Sequence, residues 1–389
     1  MSTNQKTIYL DYAASTPLDE DVLQAMLPYF NEHFGNPSSM HHYGQEADAA
    51  VENARMGMAE LLNCGSKEVI FTSCGSESDN LALRGVAHAA RGTGKKNHIL
   101  TTPVEHHAVF HTAEQLAALE GFEVEFLPVD EYGRVDPDEI ARRIRPDTAI
   151  VSVIYANNEI GTLNPIAEIG AICRKKNVPL HTDAVQACAH LPIDVQALKV
   201  DLLSVGAHKF YGPKGIGALY VRQGTAITPT QTGGAQEFGL RAGTHNTPLI
   251  VGMTEALKLV REKEAVTQQL SEYRDRIIEH VLAEIPDARL SGHPQERLPN
   301  HASFVIKHVD SNTLLMLLDA QGFACSSSSA CKTGDPEPSQ VLRAIGISDE
   351  WAKGSLRVTL GRPVTLKQID RFLEILPDAV ARTRALEAS

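Results

Sequence analysis

The residue types that could do chemistry concentrate in a few short segments. Lys209 lies in Ala207-His208-Lys209-Phe210-Tyr211-Gly212-Pro213-Lys214-Gly215, between an apolar run ending near Val205 and another starting near Ile216. A lysine at the carboxyl end of a core strand either lays its stem on apolar surface with the amine in water or is reactive. Desolvation would lower its pKa toward the neutral amine, the form that condenses with an aldehyde. Asp183 follows another apolar run in His181-Thr182-Asp183-Ala184-Val185-Gln186, where it could cap the next helix or act with the lysine. A third segment, Phe71-Thr72-Ser73-Cys74-Gly75-Ser76-Glu77-Ser78-Asp79-Asn80, joins a strand end to a helix beginning near Glu77. Helix N-termini with small residues can hold a phosphate, although any well-capped helix looks similar, and Ser76 with Asp79 loosely fits a capping box.

The six cysteines contain no C-x-x-C pair, so neither a disulfide framework nor a zinc ribbon is indicated. Cys64, Cys173 and Cys188 fall on helical patterns, as small buried hydrophobes do. Cys331 differs: Cys325 to Ser339 is rich in Ser, Gly and Pro and lacks periodicity, which predicts a mobile loop with an accessible thiol. Cys325 could pair with Cys331 or resolve a species formed on it. His107 and His111 are spaced i, i+4, but no carboxylate-flanked H-E-x-x-H context supports a metal, and none is expected.

Elements must bring these segments together. Short apolar runs at Val69–Thr72, His98–Thr101, Glu123–Pro128, Ala149–Ile154, Pro179–Thr182, Leu202–Val205 and Ile216–Val221 alternate with helical patterns. That alternation predicts an α/β fold with a mostly parallel seven-stranded sheet, buried on both faces. Open α/β sheets bind ligands at the carboxyl ends of their strands, which points Asp183 and Lys209 toward one crevice. From Thr247 to about Ile285 a long charged helical pattern reads as a bridge between domains. Beyond it Ala302–Val309 and Ser355–Leu360 read as strands, and Asn312–Ala320 and Leu366–Arg384 as helices, a smaller α+β domain.

A phosphate-holding turn, a carboxylate and a lysine on one alternating segment are what pyridoxal 5'-phosphate requires, because the carboxylate keeps the ring nitrogen protonated and the ring becomes an electron sink. Here the sequence resembles the NifS/IscS-type cysteine desulfurases, class V aminotransferase-like enzymes of the fold-type I pyridoxal phosphate group. The resemblance covers nearly the whole chain, from Tyr9-Leu10-Asp11-Tyr12-Ala13-Ala14-Ser15-Thr16-Pro17 through Phe34-Gly35-Asn36-Pro37-Ser38-Ser39 to Gly361-Arg362. It implies a large cofactor domain over 15–260 and a small domain built from 1–14 and 261–389, carrying the cysteine loop at about 325–339.

The same resemblance implies roles. Lys209 would be the Schiff-base lysine, and Gly75, Ser76 and His208 would surround the phosphate, where relatives often have Ala-Thr in place of Gly-Ser. Asp183 would pair with the ring nitrogen, Gln186 with the phenolic oxygen, and His106 would stack on the ring and move protons. Asn158 would lie near substrate and cofactor. Arg357 would grip the substrate carboxylate, a task suited to a planar bidentate donor, unless it only makes a structural salt bridge. Thr244 would reach the phosphate in a neighbouring subunit, implying a homodimer with shared sites. Cys331 would take sulfur from L-cysteine as a persulfide, leaving L-alanine, and pass it to an acceptor or scaffold protein for iron–sulfur cluster assembly or tRNA thiolation. Three positions depart from the family pattern: Ser328 stands where relatives have Gly, Gly206 where they often carry a hydroxyl or thiol, and Phe238 where many have Arg. An aminotransferase or selenocysteine lyase of the same fold would not need the loop thiol in the same way, and a catalytically silent scaffold would have no need for the whole set.

Composition narrows the classes further. The 389 residues are 43% apolar and 22% charged, an ordinary globular balance that excludes collagen, coiled coil and disorder. A net charge of −12 repels phosphate backbones, so nucleic acid is not expected as a main partner. No apolar run approaches the roughly 20 residues that span a bilayer, and the first ten residues lack signal-peptide order, which predicts no membrane association and a cytoplasmic protein.

Overall fold

A computed structural model describes residues 7–92, 94, 96–262, 265–327 and 339–387. Twelve strands occur among them: β1 (Ile8–Tyr9), β2 (Val69–Thr72), β3 (His98–Thr101), β4 (Glu123–Phe126), β5 (Thr148–Ser152), β6 (Leu180–Asp183), β7 (Leu202–Gly206), β8 (Gly217–Val221), β9 (Ala288–Leu290), β10 (His301–Ile306), β11 (Phe323–Ala324) and β12 (Ser355–Thr359). Seven form one sheet in the order β2-β8-β7-β6-β5-β3-β4. All neighbours in it are parallel except β8, which runs antiparallel to both β7 and β2. One reversed strand between two others leaves β2 and β7 running the same way. The carboxyl ends of β2, β3, β5, β6 and β7 therefore share one edge, where the ligand-binding crevice of an open α/β sheet forms.

The central strands are buried along their whole length, whereas edge strand β4 is partly exposed. Consecutive residues feed opposite cores, as a period of two requires: Phe71, Leu100, Val151 and Leu203 pack on one face, and Ile70, Ile99, Ile150 and Leu202 on the other. Gly217 opposes both Thr72 and Gly206 in register. A Cβ there would sit 2.6 Å from the Cys74 carbonyl carbon and 2.8 Å from Val205 O, so only glycine lets the ends of β2 and β7 close up.

The smaller sheet, β12-β10-β9, is antiparallel. Helices Ala265–Glu284, Ser311–Ala320 and Leu366–Glu387 supply its second core, joined by Ile8, Leu10 and Tyr12 from the start of the chain. The pattern over 247–285 resolves into two helices, Thr247–Glu262 and Ala265–Glu284, rather than one. The first packs on Glu20–Met26 and His42–Leu62, and Gly252 permits it, since a Cβ there would fall 2.5 Å from Met26 Sδ. The two-residue strands β1 and β11, paired in parallel, were not expected, because two residues carry no readable periodicity.

Candidate active site

Lys209 ends a single helical turn, Ala207–Lys209, in the β7–β8 connection. Its Nζ donates to Ala13 O at 2.6 Å and Ala14 O at 2.8 Å. Desolvation, with the nearby Arg357 guanidinium, lowers the amine to about 8, while Asp11 and Asp183 pull the other way. The amine is thus held on two backbone carbonyls, with the side chain half-buried. Gln186 Nε2 donates to the same Ala13 oxygen at 2.8 Å.

Asp183 ends β6, fully buried. One carboxylate oxygen accepts from Val185 N at 2.9 Å and turns the chain locally, but the N-cap of the next helical turn is Gln186, not Asp183. Burial raises its pKa against the opposing pull of His106 and Lys209. His106 is the N-cap of helix His107–Glu120: its Nδ1 accepts from Ala108 N at 3.1 Å, which leaves the ring proton on Nε2. His106 is exposed and lines the cavity, and desolvation lowers its pKa and favours neutral imidazole. Burial, reinforced by Lys209, also drives His208 down to about 4.

Lys209, Asp183, His106, His208, Gly75, Ser76, Asn158 and Gln186 line one cavity of about 140 Å³. The helix expected near Glu77 begins at Gly75, which puts Gly75 and Ser76 in its first turn, facing the cavity. Gly206 backs onto the same end: a Cβ there would lie 3.5 Å from Gly75 N and 3.6 Å from the His208 ring. Asn158 is held by its neighbour. Asn157 Oδ1 accepts from the backbone N–H groups of Glu159 and Ile160, and its Nδ2 donates to Val104 O at 2.7 Å.

Arg357 comes from the small sheet and is 7% exposed. Nη1 donates to Asn158 O at 2.9 Å and Nη2 to Asp11 Oδ1 at 2.9 Å, so the guanidinium does make a salt bridge. Thr244 is exposed, and it borders a different hollow with Tyr29, Phe34 and Asn36. Cys331 and Ser328 lie outside the described residues, but both flanks of their segment are placed. Ser326 exchanges backbone hydrogen bonds with Arg357, and Ser339 Oγ bonds to Glu159, the residue after Asn158. Cys325 is half-buried, and burial pushes its thiol up, which lowers its share of thiolate. Cys64, Cys173 and Cys188 are likewise raised to about 12.

Several site residues carried no assignment from sequence. Cys74, Asp79, Ile154 and Val185 also line the cavity. Asp79 is buried with a raised pKa, and one of its oxygens lies 3.5 Å from His181 Nε2. Glu105, raised by burial to about 8, accepts from Thr102 Oγ1 at 2.7 Å and Ile154 N at 2.9 Å, tying the ends of β3 and β5 together. The helix start Gly75-Ser76-Glu77-Ser78-Asp79-Asn80 is polar almost throughout, so nothing in the sequence singles Asp79 out. Among the described residues, Asp79, His106 and Asp183 are the one group with metal-ligand spacing, and they belong to this cavity, whereas the His107 and His111 rings simply stack.

The residues fit pyridoxal phosphate. A partly neutral amine, a buried carboxylate and a helix N-terminus beside His208 occupy three sides of one cavity, matching an aldehyde, a ring nitrogen and a phosphate.

Sheet topology and site together define a class V aminotransferase-like protein of the fold-type I group. The sequence profile of the aminotransferase class-V family matches residues 8–372. The cysteine desulfurase IscS of Methanosarcina thermophila is 48% identical over 385 residues, 99% of this chain and 94% of that protein. Its counterpart from Dictyoglomus turgidum is 46% identical over 98% of this chain and 96% of its own. A solved NifS-like protein superimposes with a TM-score of 0.90 at 35% identity, covering 97% of this chain and 100% of the other. The structure of SspA in complex with cysteine gives 0.80 at 36% identity, with 91% and 99% covered. The chain belongs to the class V aminotransferase family, in its branch of NifS/IscS-type cysteine desulfurases.

Proposed function

We propose that the protein is a cysteine desulfurase that takes sulfur from L-cysteine onto Cys331, leaves L-alanine, and uses pyridoxal 5'-phosphate as cofactor. One observation carries the reading: Lys209, Asp183 and His106 share a cavity, and both flanks of the Cys331 segment are anchored at its rim beside Arg357 and Asn158. When bound, the cofactor supplies an aldehyde for the substrate amine and a ring that withdraws electrons from the substrate carbons. Asp183 would hold the ring nitrogen, Gln186 the phenolic oxygen, and Gly75, Ser76 and His208 the phosphate. Lys209 at about 8 exists in both protonation states near neutral pH, so its Nζ can accept and return a proton. His106, neutral with its proton on Nε2, can donate a hydrogen bond from that nitrogen.

Arg357 would orient the substrate carboxylate and Asn158 the groups between carboxylate and ring. The Cys331 thiolate then forms an S–S bond to the substrate sulfur while the carbon–sulfur bond breaks. The electron pair stays with the substrate carbon, which takes up a proton on the way to alanine.

A homodimer completes this reading, with Thr244 serving the site of a second copy. Phe34 and Tyr43 stack at 5.4 Å on the exposed surface, and Phe34 borders the same hollow as Thr244. That apolar rim suits a partner chain. On this reading the sulfur goes to an acceptor or scaffold protein for iron–sulfur cluster assembly, with tRNA thiolation as another destination, in the cytoplasm, as the family resemblance implies. No helix among the described residues is long and apolar enough to cross a membrane.

The test is mass spectrometry of the holoenzyme after brief exposure to L-cysteine. One added sulfur on the Cys331 peptide, absent in Cys331→Ala, is expected. Alanine release by Cys331→Ala at the wild-type rate would instead favour a lyase that needs no loop thiol.

A further inference from the structure

Arg357 stores a guanidinium at 7% exposure beside the cavity, and a buried charge without a counter-ion is strongly destabilising. The counter-ion is Asp11, whose Oδ1 accepts from Nη2 at 2.9 Å. Of the other two donor groups, Nη1 serves Asn158 O and Nε is buried without a partner. Nη1 and Nη2 each carry a second N–H, so a substrate carboxylate arriving at Arg357 shares the guanidinium with the Asp11 carboxylate or displaces it.

Asp11 belongs to a strap that also touches the amine end of the site. Two and three residues on, Ala13 O and Ala14 O accept from Lys209 Nζ, and Ala13 O from Gln186 as well. The strap is fixed from both sides. Tyr9 hydroxyl donates to Asp11 O and Ser15 O, while Ala13 N donates to Thr359 Oγ1 on β12, two residues from Arg357. One segment of the chain thus spans the two points, amine and carboxylate, at which an α-amino acid would be held.

Resting on the function proposed above, we infer that Asp11 is a positioning residue that competes with the substrate α-carboxylate for Arg357 and so sets affinity for α-amino acids over amines lacking that group. The competition lowers affinity for substrate and product alike, which lets alanine leave. An amine without a carboxylate does not disturb the pair, so the charge at position 11 reaches its binding only through the Lys209 amine.

The experiment is equilibrium titration of cofactor-loaded protein, followed by the change in cofactor absorbance, with two unreactive probes, L-alanine and ethylamine. Asp11→Asn keeps an oxygen toward Nη2 but removes the charge. L-alanine is expected to bind about three- to tenfold more tightly to it, the scale of one partly buried like-charge contact. Ethylamine, which meets the charge of Asp11 only through the Lys209 amine, should shift less than L-alanine, so that the ratio of the two affinities rises, and Asp11→Glu should stay near wild type for both probes. A general packing defect would shift both amines together, and that result, or an unchanged or weakened L-alanine affinity, overturns the assignment. Asp11→Ser carries the same expectation should Asp11→Asn fail to accumulate. If wild-type protein responds to neither probe, the cofactor reading itself falls; a normal wild-type response with no shift in the variants removes Asp11 alone.

Discussion

Lys209 shows how one side chain is tuned by where its strand ends. Its amine leaves water at the edge of the buried strand β7, and burial there, with the neighbouring Arg357 charge, costs the protonated form more than Asp11 and Asp183 return. In cofactor-stripped protein, labelling of Lys209 by an amine-directed reagent should rise with a midpoint near pH 8, well below the surface lysines. Arg357→Leu should move that midpoint upward, because it removes a positive charge that opposes protonation. Peptide mapping across a pH series reads both. The lysine's identity as a candidate was legible from its flanking apolar runs. Its two carbonyl partners were not, since they come from residues 13 and 14, nearly 200 positions away.

At the scale of elements, the N-terminus of helix Gly75–Gly92 works only because it packs tightly on the turn after β6. A Cβ on Gly75 would fall 2.6 Å from Val185 Cγ2, closer than real contacts allow. Gly75→Ala should cost about 1–3 kcal/mol in urea denaturation and weaken cofactor binding. Val185→Ala in the same chain should recover most of both losses, a non-additivity that a double-mutant cycle measures. Relatives that carry Ala-Thr at these positions would need a different neighbour. The strands themselves were readable because buried strands of a parallel sheet are continuous apolar runs. The reversal of β8 was not, because an apolar run reads the same in either direction.

Across the whole molecule, a buried ion pair fixes the segment that carries Thr244. Arg55 forks onto Glu237 at 2.7 and 2.8 Å, and Glu237 also accepts from Phe71 N and His245 Nε2 at 2.7 Å each. This holds a turn in which Glu237 and Phe238 adopt positive φ, 49° and 56°, a strained choice for non-glycine residues. Phe238, the departure from the family's arginine, stays half exposed and rests near the Arg55 guanidinium. Burial alone would raise the Glu237 carboxyl, but Arg55 and His245 outweigh it and hold it low. A carboxyl with a depressed folded pKa contributes stability above its unfolded value, near about 4.3, and loses it as pH falls through the folded one. Arg55→Met should therefore destabilise the protein by about 3–5 kcal/mol at pH 7, and the deficit should shrink below about pH 4 as Glu237 protonates. Urea melts at the two pH values decide it.

The amino-acid order by itself determined the α/β class, the strand positions and which short segments could do chemistry, because hydrophobic periodicity and strand-end residues are local properties. It also carried the family resemblance, through motifs such as Asp11-Tyr12-Ala13-Ala14 whose physical task it left blank. What only tertiary structure decided is who faces whom. With only β8 reversed, six carboxyl ends, those of β2 to β7, come to one edge, the N-terminal strap joins Lys209 to Arg357 through Ala13, Ala14 and Asp11, and burial sets each group's charge. Desolvation and pairing act between residues distant along the chain, so no reading of neighbours in sequence contains them.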